Sequence, residues 1–186
     1  MKRSMKGVLT VFAVSLCGCI SSPTIRMRPV EAGAPAPGTS LADVKVNDLR
    51  VPGVAASTRE AAFGVPMGNI SFDPPEAQLI KERLEQELAG LLRERNQTTK
   101  KSFTCDMVEF GVNTKATPLY WDVIGRVRIT LKVDGKEHGL SGSSTERTYI
   151  WPGAGIIKKV VEQSLDEVAN GLRPVVEATP KDPSVK

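Results

Sequence analysis

The segment LYWDVIGRVRITLKV (residues 119–133), then Asp134-Gly135 and KEHGLSGSSTERTYI (residues 136–150), decides the fold. Leu119, Trp121, Val123, Gly125, Val127, Ile129, Leu131 and Val133 occupy every second position, and Asp122, Arg126, Arg128, Thr130 and Lys132 hold most of the alternates. Successive side chains of a strand point to opposite faces, so this is the pattern of one long half-buried strand. Asp-Gly suits a two-residue type I′ turn, where both residues take positive φ, so the chain is expected to return antiparallel from Lys136 to about Ile150. In that register Leu131 faces His138, Asp122 faces Arg147 and Tyr120 faces Tyr149. Such cross-strand pairs contribute roughly 0.2 to 1 kcal/mol each. A slip by one residue would turn every apolar side chain to the solvent face.

Two amphipathic helices flank this hairpin. Asp73-Pro74-Pro75-Glu76 reads as a helix start with Asp73 as N-cap and Pro74 at the first helical position, and Ala77, Ile80, Leu84, Leu88 and Leu91 then form one stripe that runs to about Arg95. After Trp151-Pro152-Gly153-Ala154-Gly155, a second stripe comprises Ile157, Val161, Leu165, Val168 and Leu172, with Asn170-Gly171 as its stop. Ser102 to Val112 reads as a further strand, and a phase change between Met107 and Val108 marks a bulge. Val44 to Val51 is a weaker first strand, Pro52 to Met67 a loop, and Ile70 to Phe72 a short extended piece. Two striped helices need a common apolar surface, which the hairpin offers. The expected fold class is α/β: an α+β two-layer sandwich, its mixed sheet carrying a long antiparallel hairpin packed against two amphipathic helices.

The N-terminus carries an address. Lys2, Arg3 and Lys6 precede an apolar run from Gly7 to Leu16, too short for the roughly 20 residues of a membrane span. Leu16-Cys17-Gly18-Cys19 follows, which resembles the lipobox of bacterial lipoproteins. That resemblance implies cleavage between Gly18 and Cys19 and a lipid thioether on the Cys19 sulfur, whose thiolate is the nucleophile. With two or three acyl chains such an anchor holds durably. Ile20 follows the cysteine; an Asp there is the inner-membrane retention signal of the best-studied lipoproteins, so the resemblance points to the periplasmic face of the outer membrane. The expected organisation is a signal peptide at 1–18, lipidated Cys19 and a Pro/Gly/Ala-rich tether over 19–43, one domain over 44–172 and a loose tail over 173–186. The formal charge of +4 owes much to the signal's three cations, so nucleic-acid binding loses its compositional support. Cys105 is the thiol left to the mature chain and, alternating with Phe103 and Met107, reads as a core residue.

Taken together, the lipobox, the leucine-rich first helix and the run from Tyr120 through the Asp-Gly hairpin to Thr148-Tyr149-Ile150-Trp151-Pro152 resemble the YajG-like short outer-membrane lipoproteins. More loosely they are similar to lipoproteins with the fold of ABC-transporter auxiliary components. The resemblance implies a scaffold or binding partner in the cell envelope and supplies no catalytic residue.

The chemistry legible in the chain agrees with a binding role. His138 is the single histidine and has no second ligand at metal spacing. Neither a hydrolase elbow, an HExxH helix nor a paired-cysteine motif is present, so no enzyme and no cofactor are expected. Gly153-Ala154-Gly155 lacks the third glycine of a dinucleotide loop and the Lys-Ser/Thr pair of a P-loop. Candidate partner-binding residues are Arg126, Arg128 and Lys132 on the hairpin's outer face and Tyr120, Tyr149 and Trp151 at its end. The Ser/Gly-rich returning strand, if at a sheet edge, would offer its backbone to a partner strand. The expected partners are the membrane, through the anchor, and an envelope protein. The alternative is an auxiliary of a transporter or assembly system that handles lipid or lipopolysaccharide in a cavity between helices and sheet. A hydrolase would need Glu146 close to a second carboxylate.

Overall fold

The structure is a computed structural model that describes residues 22–27, 41–51, 57–61 and 64–178. In chain order these form β1 (Thr24–Arg26), β2 (Ala42–Asp48), β3 (Thr58–Glu60), β4 (Pro66–Asn69), β5 (Ser71–Asp73), α1 (Glu76–Glu94), β6 (Lys101–Ala116), β7 (Trp121–Val133), β8 (Lys136–Thr148), α2 (Ala154–Asn170) and α3 (Leu172–Glu177).

The hairpin of β7 and β8 has the expected register. Val133 lies opposite Lys136, Leu131 opposite His138 and Asp122 opposite Arg147. Asp134 and Gly135 take φ of 48° and 77°, the pair of positive values a type I′ turn requires. On the inner face Val123, Val127, Ile129, Leu131 and Val133 are buried. Leu119 falls outside the strand and is 79% exposed, because β7 begins only at Trp121.

β6 continues four residues beyond the expected end at Val112 and pairs antiparallel with β7. Its register shifts between Met107 and Glu109, which leaves Val108 as the extra, exposed residue of a bulge. Before the bulge Phe103, Cys105 and Met107 face the core; after it Phe110, Val112 and Thr114 do. On the far side of β6, β2 runs parallel along Lys101–Met107 and β3 parallel along Asn113 and Thr114, with β4 antiparallel to β3. The result is a six-stranded mixed sheet.

The helices lie on one face of that sheet, α1 over β2 and α2 over β7 and β8. Ile80, Leu84, Leu88 and Leu92 of α1 are 0–1% exposed, and each such side chain stabilises the fold by about 1.5 to 3 kcal/mol. Gly125 and Gly142 set the approach of α2. A Cβ on Gly125 would stand 2.6 Å from Cγ1 of Val160, and one on Gly142 would enter the carbonyl oxygen of Ser164.

Four boundaries differ from the sequence reading. Thr24–Met27, assigned above to the tether, form β1 and its exit: Ile25 and Met27 are buried, and β1 pairs parallel with β5. The tail begins later than residue 173, because α3 buries Val175 and Val176 and Arg173 pairs with Glu94. The loop from 52 to 67 contains β3 and the start of β4. Helix α1 starts at Glu76 behind Pro75, not at an Asp73 cap; the Asp73 main chain is engaged in β5, where its carbonyl accepts the Met27 N–H. In each case a long-range pairing overrides the local composition. Cys19 and the lipobox residues Leu16, Cys17 and Gly18 lie outside the described residues.

Candidate functional site

Three surfaces of the hairpin carry the candidate residues: the outer edge of β8, the open sheet face, and the end opposite the Asp134-Gly135 turn.

Among the described residues β8 pairs with β7 alone. In an antiparallel ladder next to a two-residue turn, alternate residues direct their N–H and C=O groups toward the partner. Those of Glu137, Gly139, Ser141, Ser143, Thr145 and Arg147 therefore face away from β7. One of them is engaged from behind: the Ser143 N–H donates to Oε2 of Glu167 on α2 at 2.7 Å. The opposite margin is treated alike, since the Val44 N–H of β2 donates to Oε1 of Glu85 on α1 at 3.1 Å. A carboxylate reaching over an edge satisfies one donor and places negative charge where another strand would add. Beside β2 this leaves an open groove of about 640 Å³ whose lining includes Lys45, Gln78, Lys81 and Glu82.

The open face is an ion-pair lattice. Lys132 Nζ lies 2.8 Å from Asp106 Oδ2 and 3.3 Å from Glu137 Oε1, and Asn47 donates to Asp106 Oδ1 at 2.8 Å. The hydrogen bond from Lys132, then that from Asn47, holds the Asp106 carboxyl below its usual value, and Asp106 in turn raises Lys132. Arg128 pairs with Glu109 at 3.3 Å. Of the three cations proposed for partner binding, Arg126 is the one without an ion pair among the described residues. The patch read from sequence as basic is thus largely neutralised, because Asp106 and Glu109 come from β6, 26 and 19 residues before Lys132 and Arg128 in the chain.

The aromatic candidates fall into two separate pairs at the end opposite the turn. Tyr120 and Tyr149 meet edge-on with ring centroids 6.5 Å apart, and Trp151 meets Trp121 likewise at 4.7 Å. Arg147 lies 3.8 Å over the Tyr120 ring while donating from Nε to Asp122 Oδ1 at 2.9 Å, and that bond raises its pKa. Trp151 thus packs on Trp121 of β7. At the same end Leu119, Tyr149 and Ile150 are 76–79% exposed.

Arg59 of β3 lies behind it, a residue the sequence reading did not select. It is 7% exposed, 5.5 Å from the Trp151 ring centroid, and donates to the Pro152 carbonyl at 3.5 Å. Its Nε has no hydrogen-bond partner among the described residues, and burial lowers its pKa. No signal in the sequence marks it, since its position depends on the pairing of β3 with β6.

No family model matches the chain, and no curated protein matches it. A solved structure titled "Crystal structure of uncharacterized protein" is similar with a TM-score of 0.42 and 12% identity, over 72% of this chain and 90% of that one.

The remaining sequence candidates have ordinary surroundings. Cys105 is fully buried, and burial, then the neighbouring Asp106 charge, pushes its thiol up to about 12. His138 is half-buried opposite Leu131, and no group of three metal-binding side chains occurs among the described residues. Glu146 pairs with Lys159 at 2.6 Å, which holds its carboxyl below the usual value, the opposite of the shift a general acid needs.

Proposed function

We propose that this chain is a lipid-anchored protein of the bacterial cell envelope, held by Cys19 at the periplasmic face of the outer membrane. Its domain acts without catalysis, by taking an extended segment of another envelope protein onto β8. The kinship with YajG-like lipoproteins belongs to this reading and rests on the lipobox and the order of elements. The observation that carries the binding mode is the edge position of β8: thirteen residues with one row of backbone groups turned outward. Main-chain pairing along such a row supplies affinity, and alternate side-chain positions supply selectivity. Glu167 then acts as a displaceable guard on Ser143. The alternative, lipid handling between helices and sheet, draws no support where α2 meets β7 and β8, since contact at Gly125 and Gly142 is too close for an acyl chain.

Photo-crosslinkers placed in the intact envelope at Ser141, Ser143 and Thr145 should capture one protein, whereas one at Arg128 on the sheet face should not. Ser141→Pro removes an outward N–H that the β7 ladder does not use, so it should abolish capture from Ser143 and Thr145 while leaving the thermal midpoint within a few degrees. Equal capture from Arg128, or capture insensitive to the proline, contradicts the edge reading. The anchor has its own check: Cys19→Ser should end palmitate incorporation and leave the precursor uncleaved.

A further inference from the structure

We infer that the end of the hairpin opposite its turn is a membrane-contact surface: Val65, Leu119, Tyr149, Ile150 and Trp151 seat the domain on phospholipid, with the Asp134-Gly135 turn pointing away. The inference rests on the proposed lipidation of Cys19 and adds an orientation to it.

Two independent observations carry it. The first is where the chain enters the fold. The Val112 N–H donates to Oγ of Ser57, whose carbonyl accepts the Ile70 N–H, so Ser71 stands level with Val112. From there β5 runs away from the hairpin's open end: the Phe72 ring meets that of Phe110 at 5.5 Å, and Glu76 pairs with Arg50, which donates to the Phe110 carbonyl. β1 is parallel to β5, with Thr24 beside Ser71. The chain before Thr24 therefore leaves toward the open end. Five residues separate Thr24 from Cys19, a reach of at most ~17 Å. From Val112 to the end of β6 at Ala116 is four residues, or ~13 Å of strand. That reach covers the distance to the open end. The turn is beyond it, because Gly125, opposite Val112, lies eight residues from Val133, or ~26 Å in the other direction.

The second observation is the surface at each end. Five of the eight large apolar side chains exposed among the described residues, Val65, Leu119, Tyr149, Ile150 and Trp151, belong to the turns at the open end. β3 reaches the level of Thr114 at Arg59, so the β3–β4 turn that holds Val65 lies with the loops at 117–120 and 149–153. The opposite end presents Asp134, Lys136, Glu137 and Lys100. Exposed aliphatic residues beside Tyr and Trp match the composition of a bilayer interface, where an amphipathic ring keeps its polar edge at the headgroups. A surface with a charged end and an apolar end, tethered at the apolar one, has one favoured orientation.

Both tryptophans of the chain lie at the open end, so intrinsic fluorescence reports on it directly. The acylated full chain is reconstituted into vesicles of equal parts phosphatidylethanolamine and phosphatidylglycerol, with or without bromine on the acyl chains. Emission should fall about twofold or more in the brominated vesicles, since apolar side chains seated at an interface reach the upper acyl region. The double variant Leu119→Asp, Ile150→Asp should recover most of that emission while remaining acylated and vesicle-bound. Mass spectrometry of the Cys19 peptide and sedimentation with vesicles are read on the same samples. An unacylated chain that stays in the supernatant overturns the anchor itself. An acylated, sedimenting chain whose emission bromine does not change overturns the orientation and leaves the anchor standing.

Discussion

Gly142→Ala should be the most destabilising single-methyl substitution in the hairpin. The added Cβ enters the carbonyl oxygen of Ser164 and stands 3.0 Å from the Cβ of Glu167 and the carbonyl carbon of Ser164. All three atoms belong to the main chain or to its first side-chain atom, so no rotamer change relieves the overlap and α2 must lift by roughly an ångström. That movement loosens a face whose Ile157, Val160, Val161, Leu165 and Val168 are 0–7% exposed. Overpacking of this kind costs about 1 to 3 kcal/mol, and the loss here belongs at the upper end because the obstacle is a helix backbone. Gly139→Ala is the control three positions away on the same strand. Nothing lies within 4 Å of its Cβ, so the reduced freedom of the unfolded chain should stabilise it by about 0.5 kcal/mol. Urea denaturation of the full chain measures both, and a gap of about 3 kcal/mol corresponds to midpoints roughly 1 to 2 M apart. Midpoints for the two variants that coincide would refute the close packing of α2 on β8.

Two further outcomes follow from the buried thiol and the paired carboxylates. In a Cys17→Ser, Cys19→Ser chain Cys105 is the sole thiol; with its pKa near 12, a disulfide reagent at pH 8 should label it about a thousandfold more slowly than in denaturant, and prompt labelling of the folded chain would show an accessible thiolate. Asp48, held low by Arg50, and Asp106, held low by Lys132 and Asn47, both bind protons more weakly folded than unfolded. Their stabilisation is therefore complete above the unfolded carboxylate range near pH ~4 and is lost as pH falls through the folded values. Thermal midpoints should hold level down to about pH 5 and drop below ~4, with a shallower acid limb in Asp106→Asn; parallel limbs for the two chains would remove Asp106 from the account.

Period-2 alternation across 121–133 and one Asp-Gly pair made the hairpin legible to the residue, because β register obeys a local rule: the turn length dictates which residues meet. The same held for the bulge at Val108, visible as a break in phase, and for the α2 stripe; along α1, Ile80, Leu84 and Leu88 are buried as expected, but Leu79 and Leu92 are buried where Ala77 and Leu91 were expected to be. The candidate site was legible in part. Tyr120 and Tyr149 lie just past the strand ends of the hairpin, and the turn that sets its register also brings them together, whereas Trp151 meets Trp121. Arg128 and Lys132 looked like free cations because their acidic partners, Glu109 and Asp106, lie on β6, where no local pattern joins them to β7.

What the sequence determined by itself, then, is the hairpin, the two helix stripes and their assembly into a two-layer α/β sandwich, all of which follow from periodicity that local sterics and burial impose. Tertiary structure alone decided the rest. Three-residue strands such as β1 and β3 have too little pattern to announce themselves, and they exist because a long neighbouring chain offers backbone groups to pair with. The pairing of β1 with β5 made a strand of Thr24–Arg26, which local composition assigns to a tether. The seating of β3 on β6 buried Arg59 behind Trp151. Whether a polar residue is free or paired, and which end of a domain faces its anchor, are questions of contacts between residues distant in the chain, which no local periodicity encodes.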